Sequence, residues 1–442
     1  MTSVIVIAGT RPEVIKLSPV LKQLDKLGID YLFVWSGQHY DFEMSKVFFE
    51  ELEVRDPDAD LNARSGSHAE QTSRIMLGLE KLVEERRPVI TVAQGDTNTV
   101  LATALTSIKL HIPFAHVEAG LRSRDMLMPE EINRKVADAV AALHFAPTKL
   151  SALNLIFEGI SPRSIYITGN TIVDVVREYS DKVDALAGDL LAELNLERAS
   201  YFLVTLHRAE NVDSSRRLGS ILKALSELAK HYPVVFPMHP RTRSRIEEFS
   251  LASYLHEIRV LKPMGYFKFL SLLKNARVVI TDSGGVQEEA LTLKIPTVTV
   301  RYSTERPETT IHDINVLVGA EANIIIEKTL SQAQRYDSIK KSSFTNPLGD
   351  GFAGERIARV LKKSLESGIR ITEPDLRTKP VIKFRLLERW VDQSAGYDEL
   401  GDVLVCFSED GEPYIEVNAL QRCQKALVRL AGRLDDKDTT YT

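Results

Sequence analysis

Short, unbroken apolar runs alternate with stretches of helical periodicity along most of this chain, and no other feature narrows the fold as much. VIVIA (4–8) is followed by Val14, Leu17, Leu21 and Leu24 at helical spacing, ending at Gly28. YLFVW (31–35), VITVA (89–93), PFAHV (113–117), LHFAP (143–147) and SIYIT (164–168) read as further strands, with helices such as 97–110 and 130–142 between them. Strands that are apolar on both faces and separated by helices specify a parallel sheet covered on both sides. The alternation then restarts with YFLVT (201–205), PVVFP (233–237), IRVLK (258–262), RVVIT (277–281) and TVTVR (297–301), and helical segments at 216–230, 242–250, 266–274 and 284–293. A charged helical stretch at about 170–200 separates the two halves and reads as a hinge. The expected class is α/β: two Rossmann-like doubly wound domains, 1–170 and 171–371, with a cleft between them facing the carboxyl ends of both sheets. A helix at 351–368 is expected to cross back, and 372–442 to form a small α+β extension. Within that extension TEPDLRTKP reads as a linker, 402–417 as a hairpin turning at Glu409-Asp410-Gly411, and NALQRCQKALVRLAGRL as an amphipathic helix.

Composition excludes several classes. Hydrophobic residues make up 44% of the chain, enough for large cores, and the net charge of −5 gives no global attraction to nucleic acid or anionic membrane. The two cysteines, Cys406 and Cys423, form no CxxC pair, which excludes a zinc ribbon or a disulfide scaffold and fits a reducing compartment. MTSVIVIAGTRPEV has no basic leader ahead of its apolar run, and no run approaches the ~18 residues of a membrane span. A soluble, cytoplasmic protein is expected.

The polar signals follow the strands, where doubly wound folds bind ligands. GTRPEVIKLSP (9–19) lacks the G-x-x-x-x-G-K-[ST] of a phosphate loop, yet Arg11 and Lys16 stand at a strand-to-helix turn that suits a phosphate or, equally, solvent. Asp96 in QGDTNTV is either a helix cap or an acid–base group. Glu118 in HVEAGLRS has few structural reasons to follow a strand, whereas Glu130 in MPEEINR also suits the helix dipole. His116-x-Glu118 is no zinc spacing and no HExxH occurs, so no metal is expected. The second half brings His207 and Arg208 in TLHRAENVD, His239 and Arg241 in PMHPRTR, read as structural, and Arg306 in TERPE. In TDSGGVQEEA the turn Ser283-Gly284-Gly285 lets a diphosphate reach backbone N–H groups at a helix N-terminus, and Glu289 lies where ribose hydroxyls could be held.

Taken in order, GTRPEVIK, SGQHYD, QGDTNTV, HVEAGLRS, PEEINR, GNTIVD, HRAEN, DSGGVQEEA and TERPE resemble the non-hydrolysing UDP-N-acetylglucosamine 2-epimerases, from the first strand to about residue 367. The resemblance implies a glycosyltransferase-B-like fold, a homodimer, and reversible inversion at C2 of UDP-N-acetylglucosamine to UDP-N-acetylmannosamine without metal or nicotinamide cofactor. It implies that Arg11, Lys16, His207, Ser283, Gly284, Gly285, Glu289 and Arg306 hold UDP. Asp96, Glu118 and Glu130 match the family's acid–base carboxylates, and His207 is grouped with them as catalytic. UDP leaves across C1–C2 to give a glycal, then adds back after a proton returns to the other face. Many bacterial members carry a Gln where this chain has Asp41, three residues after Gln38, and a longer Glu118-to-Glu130 spacing. These departures argue against allosteric activation by substrate here. Rival readings are a hydrolysing relative, an epimerase of a diacetamido sugar nucleotide, a UDP-sugar glycosyltransferase and a binding-only sensor.

Overall fold

Residues 3–38, 49–369, 406–407 and 413–414 are described by the structure, a computed structural model. The chain divides into two compact units, Met1–Thr171 with the chain from Phe352 onward, and Ile172–Gly351. The first unit holds a seven-stranded parallel sheet in the order β3-β2-β1-β4-β5-β6-β7. Its strands are β1 (Val4–Ala8), β2 (Tyr31–Trp35), β3 (Ala59–Asp60), β4 (Ile90–Gln94), β5 (Phe114–Val117), β6 (Leu143–Ala146) and β7 (Ile165–Ile167). All five residues of β1 are buried, as an apolar run covered on both faces requires. The second unit repeats the plan with six parallel strands in the order β10-β9-β8-β11-β12-β13. These are β8 (Phe202–Thr205), β9 (Val234–Pro237), β10 (Ile258–Leu261), β11 (Val278–Thr281), β12 (Thr297–Thr299) and β13 (Asn315–Leu317). Each sheet reverses its strand order once, between β1 and β4 and between β8 and β11, and the crevice at such a reversal is where these folds bind ligands.

Each sequence-expected strand forms, β1 and β2 over their full expected length and most of the others shorter by one or two residues. The short edge strands β3 and β13 and the helices His68–Arg86 and Ala322–Lys341 were not anticipated. Ala353–Ser367 is a helix, as expected, and belongs to the first unit. It packs on helix Arg11–Lys26, where a Cβ on Gly354 would come within 2.7 Å of the Pro19 backbone. Pro19 has no N–H for the Ile15 carbonyl, and Ser18 Oγ donates to that carbonyl instead, at 2.8 Å. Cys406–Phe407 pairs antiparallel with Pro413–Tyr414, the register of the expected hairpin. The turn at Glu409-Asp410-Gly411, the linker, the terminal helix and Asp41 lie outside the described residues.

Candidate functional site

In the first unit the sequence-predicted residues gather at the carboxyl ends of β1, β4 and β5. Glu118 follows β5 directly, with a left-handed φ of 69° that is uncommon for glutamate and typical of functional turns. Its carboxylate is buried and receives three side chains: the Lys16 ammonium and Asn170 Nδ2 (3.1 Å) on Oε1, and Gln94 Nε2 on Oε2. Lys16, which the sequence suggested for a phosphate, thus places its charge on Glu118, where it offsets the cost of desolvating that carboxylate. Thr97, not Asp96, caps helix Asn98–Lys109, its hydroxyl accepting from Thr99 N at 3.2 Å. The capping alternative for Asp96 therefore falls away, and its carboxylate pairs with Arg134. Glu130 and Glu131 both lie in the first turn of helix Pro129–Val140, but their surroundings differ. Glu131 is fully buried and accepts from Ser123 N (2.9 Å), Arg124 N (3.0 Å) and Arg134 (2.8 Å), whereas Glu130 is half-buried.

The strand ends are braced from behind. His116 on β5 pairs through Nδ1 with Asp138 (2.6 Å) and donates through Nε2 to the Gly95 carbonyl (2.8 Å). Burial would raise the Asp138 carboxyl, but His116 and Arg122 outweigh it and hold the group well below its ordinary range. The same carboxylate accepts from Gly120 N at 3.0 Å, so it fixes both sides of the Glu118 turn.

Glu13, unremarked in the sequence reading, accepts from Gly9 N (2.7 Å), Thr10 N (2.8 Å) and Thr97 Oγ1 (2.5 Å), tying the β1 turn to the β4 turn. Burial pushes its carboxyl from the ordinary 4.5 up to about 7, against the hydrogen bonds. Between those values the folded protein holds a proton that the unfolded chain has lost. Stability therefore falls as pH rises from 4.5 to about 7, by on the order of 3 kcal/mol from this group. Denaturant midpoints measured between pH 5 and pH 8 are expected to change less in Glu13→Gln than in the wild type. Parallel curves for the two proteins would contradict the assignment.

In the second unit the turn after β11 is built around Asp282. This buried carboxylate accepts from His207 N (3.1 Å), Arg208 N (3.0 Å) and Asn211 Nδ2 (3.3 Å), joining the turn after β8 to that after β11. Burial would raise Asp282, but the His207 contact and these donors lower it overall. Ser283 is the N-cap of helix Gly284–Thr292, and its hydroxyl makes no capping bond. Tyr266 OH donates to Glu289 Oε1 at 2.9 Å, and burial and Glu289 together raise the phenol well above its ordinary range. Arg306 is buried against Glu288 (2.6 Å) and Glu305 (2.5 Å), and Glu305 also meets Arg301 at 2.8 Å and Arg208 at 3.4 Å. His239 serves its expected structural role by accepting from Arg241 N at the start of helix Pro240–Glu248, and Arg241 and Arg245 pair with Asp213. Among the described residues no group of three or more His, Cys, Asp or Glu is placed to hold a metal, and no helix is long and apolar enough to cross a membrane.

The UDP-N-acetylglucosamine 2-epimerase family profile matches residues 22–362. The chain belongs to the UDP-N-acetylglucosamine 2-epimerase family. Membership gives it the family's activity, a 2-epimerase with two parallel-sheet domains of glycosyltransferase-B-like fold. A UDP-N-acetylglucosamine 2-epimerase of Methanocaldococcus jannaschii is 45% identical over 367 residues, covering 80% of this chain and 98% of that protein. A UDP-2,3-diacetamido-2,3-dideoxy-D-glucuronate 2-epimerase of Pseudomonas aeruginosa is 38% identical over 364 residues, covering 81% and 99%. The crystal structure of the M. jannaschii UDP-GlcNAc 2-epimerase in complex with UDP-GlcNAc and UDP superposes with a TM-score of 0.75 at 43% identity, covering 82% of this chain and 99% of that one. Sequence reasoning gave no role to Glu13, Glu131, Arg134, Asp282, Glu288 and Glu305, each of which holds a neighbouring motif in place.

Proposed function

We propose that this epimerase interconverts UDP-N-acetylglucosamine and UDP-N-acetylmannosamine without hydrolysis, by eliminating UDP and adding it back. The observation that carries this reading is the division of chemistry between the units. Carboxylates gather beside the strand reversal of the first unit, and a glycine turn with a helix N-terminus stands at that of the second. A C2 proton beside an acetamido group is not acidic enough to leave as a free carbanion. In the elimination its C–H electrons become the C1–C2 double bond while the C1–O bond breaks, and UDP departs with that electron pair. A carboxylate among Asp96, Glu118 and Glu130 takes the proton from C2. Helix Gly284–Thr292, with Ser283, Gly284 and Gly285 at its start, receives the diphosphate through N–H groups and the helix dipole. His207 stands beside Asp282 at 3.3 Å with its ring partly exposed, and in this reading it stabilises the leaving phosphate. Arg11 and Arg306 complete the UDP contacts, Glu289 the ribose contacts, and Lys16 acts through Glu118. Returning UDP to C1 while a second group delivers a proton to the opposite face of C2 completes the inversion.

Incubation with UDP-N-acetylglucosamine alone in D₂O, followed by NMR, tests the reading. The expected product is UDP-N-acetylmannosamine carrying deuterium at C2, because a carboxylate that opens to solvent exchanges the abstracted proton. Full retention of protium would defeat this mechanism, and free N-acetylmannosamine as the main product would favour hydrolysis. The P. aeruginosa relative makes UDP-2,3-diacetamido sugars the competing substrate class, and parallel kcat/KM values decide between the two.

A further inference from the structure

We propose that Arg134 is a positioning residue for the epimerase site: with Asn133 it grips Asp96 and locks it to the helix start that carries Glu130. The proposal rests on the reading of Asp96 and Glu130 as acid–base groups. Asp96 is held twice by consecutive residues of one helix. Asn133 Nδ2 donates to its backbone carbonyl at 2.9 Å, and Arg134 Nη1 meets its carboxylate. Arg134 is among the largest fully buried side chains, with 1% of its surface exposed, whereas the Asp96 side chain is 23% exposed. Glu131, itself fully buried, already neutralises Arg134 through Nε (3.0 Å) and Nη2 (2.8 Å). Arg134 thus does not need Asp96 to offset its own burial, and the reach to Asp96 does something else. It sets the orientation of a carboxylate that loop geometry alone would leave free to rotate. Through Glu131 the same guanidinium is linked to Ser123 N and Arg124 N, the loop between Glu118 and Glu130. One buried cation therefore joins Asp96 to the segment that separates the other two carboxylates. A proton-transfer group must be aimed, and a displacement of about 1 Å can cost about 100-fold in rate.

The experiment compares Arg134→Lys with Arg134→Met/Glu131→Gln, a pair that removes both buried charges together so that neither is stranded. For each, kcat and KM for 2-epimerisation and UDP affinity are measured alone and on the Asp96→Asn background. The expected result is a fall in kcat of about 10–100-fold, milder for the lysine variant, with KM and UDP affinity within about twofold of wild type. On the Asp96→Asn background the same changes are expected to cost less than about threefold, because groups that act through one another are non-additive. Wild-type kcat in a folded variant, or losses that multiply with Asp96→Asn, would overturn the proposal. A wild-type protein with no 2-epimerase turnover would overturn the functional reading itself, and this proposal with it.

Discussion

Asp96→Asn, Glu118→Gln and Glu130→Gln are each expected to lower kcat by about 10²–10⁴-fold while UDP still binds, the range a single general acid or base supplies. Amides match the carboxylates in shape but neither take up nor release a proton at neutral pH, so the loss isolates proton transfer from packing. The three positions are not equivalent in their side effects. Glu118→Gln removes the negative charge that the buried Lys16 ammonium meets there, and removing one partner of a buried pair costs on the order of 3 kcal/mol. Asp96→Asn leaves Arg134 still paired with Glu131, so its stability cost is smaller. Glu130 is half-buried, and its amide variant is expected to melt closest to the wild type. Turnover by NMR, UDP binding by calorimetry and thermal midpoints measured on the same three proteins check all of this. Undiminished kcat in any folded variant removes that residue from the acid–base set.

The fold was legible because its central strands are apolar on both faces, a pattern that few other structures produce. β1 and β4 stand out for that reason, whereas β3 is two residues long and β13 three, too short for any periodicity to register. Helix His68–Arg86 escaped because only Gln71, Ile75, Leu79 and Val83 are buried along its 19 residues. The candidate site was legible where position alone marks a residue, at strand ends beside the reversals of strand order. It was not legible where the partner is remote in sequence. Lys16 and Glu118 are 102 residues apart, and nothing in GTRPEVIK announces that its lysine meets a carboxylate. Adjacent residues posed the opposite difficulty. Glu130 and Glu131 satisfy the same helix-dipole argument, and only the fold reveals that Glu131 is spent on Ser123, Arg124 and Arg134.

Gly284 and Gly285 are expected to fail in different ways when given a side chain, and the difference separates packing from ligand binding. A Cβ on Gly284 would lie 2.6 Å from Arg306 Nη1, 2.8 Å from Arg306 Cζ and 3.0 Å from Glu305 Oε1. Gly284→Ala must therefore displace a guanidinium that Glu288 and Glu305 hold in the interior, and overpacking of this kind costs about 1–3 kcal/mol. Among the described residues a Cβ on Gly285 meets nothing beyond its own helix within 4 Å, and its φ lies outside the left-handed region. Within a helix Ala is favoured over Gly by up to about 1 kcal/mol, so Gly285→Ala is expected to fold at least as stably as the wild type. If Gly285 is there so that a diphosphate can approach the N–H groups, its substitution costs affinity and not stability. Gly285→Val should weaken UDP binding at least about tenfold, or 1.4 kcal/mol, at an unchanged thermal midpoint without ligand. Gly284→Ala should lower that midpoint and weaken UDP binding through the shifted Arg306. Calorimetric UDP affinities beside ligand-free melting curves tell the two apart, and a Gly285→Val protein that binds UDP like the wild type would remove this turn from the diphosphate site.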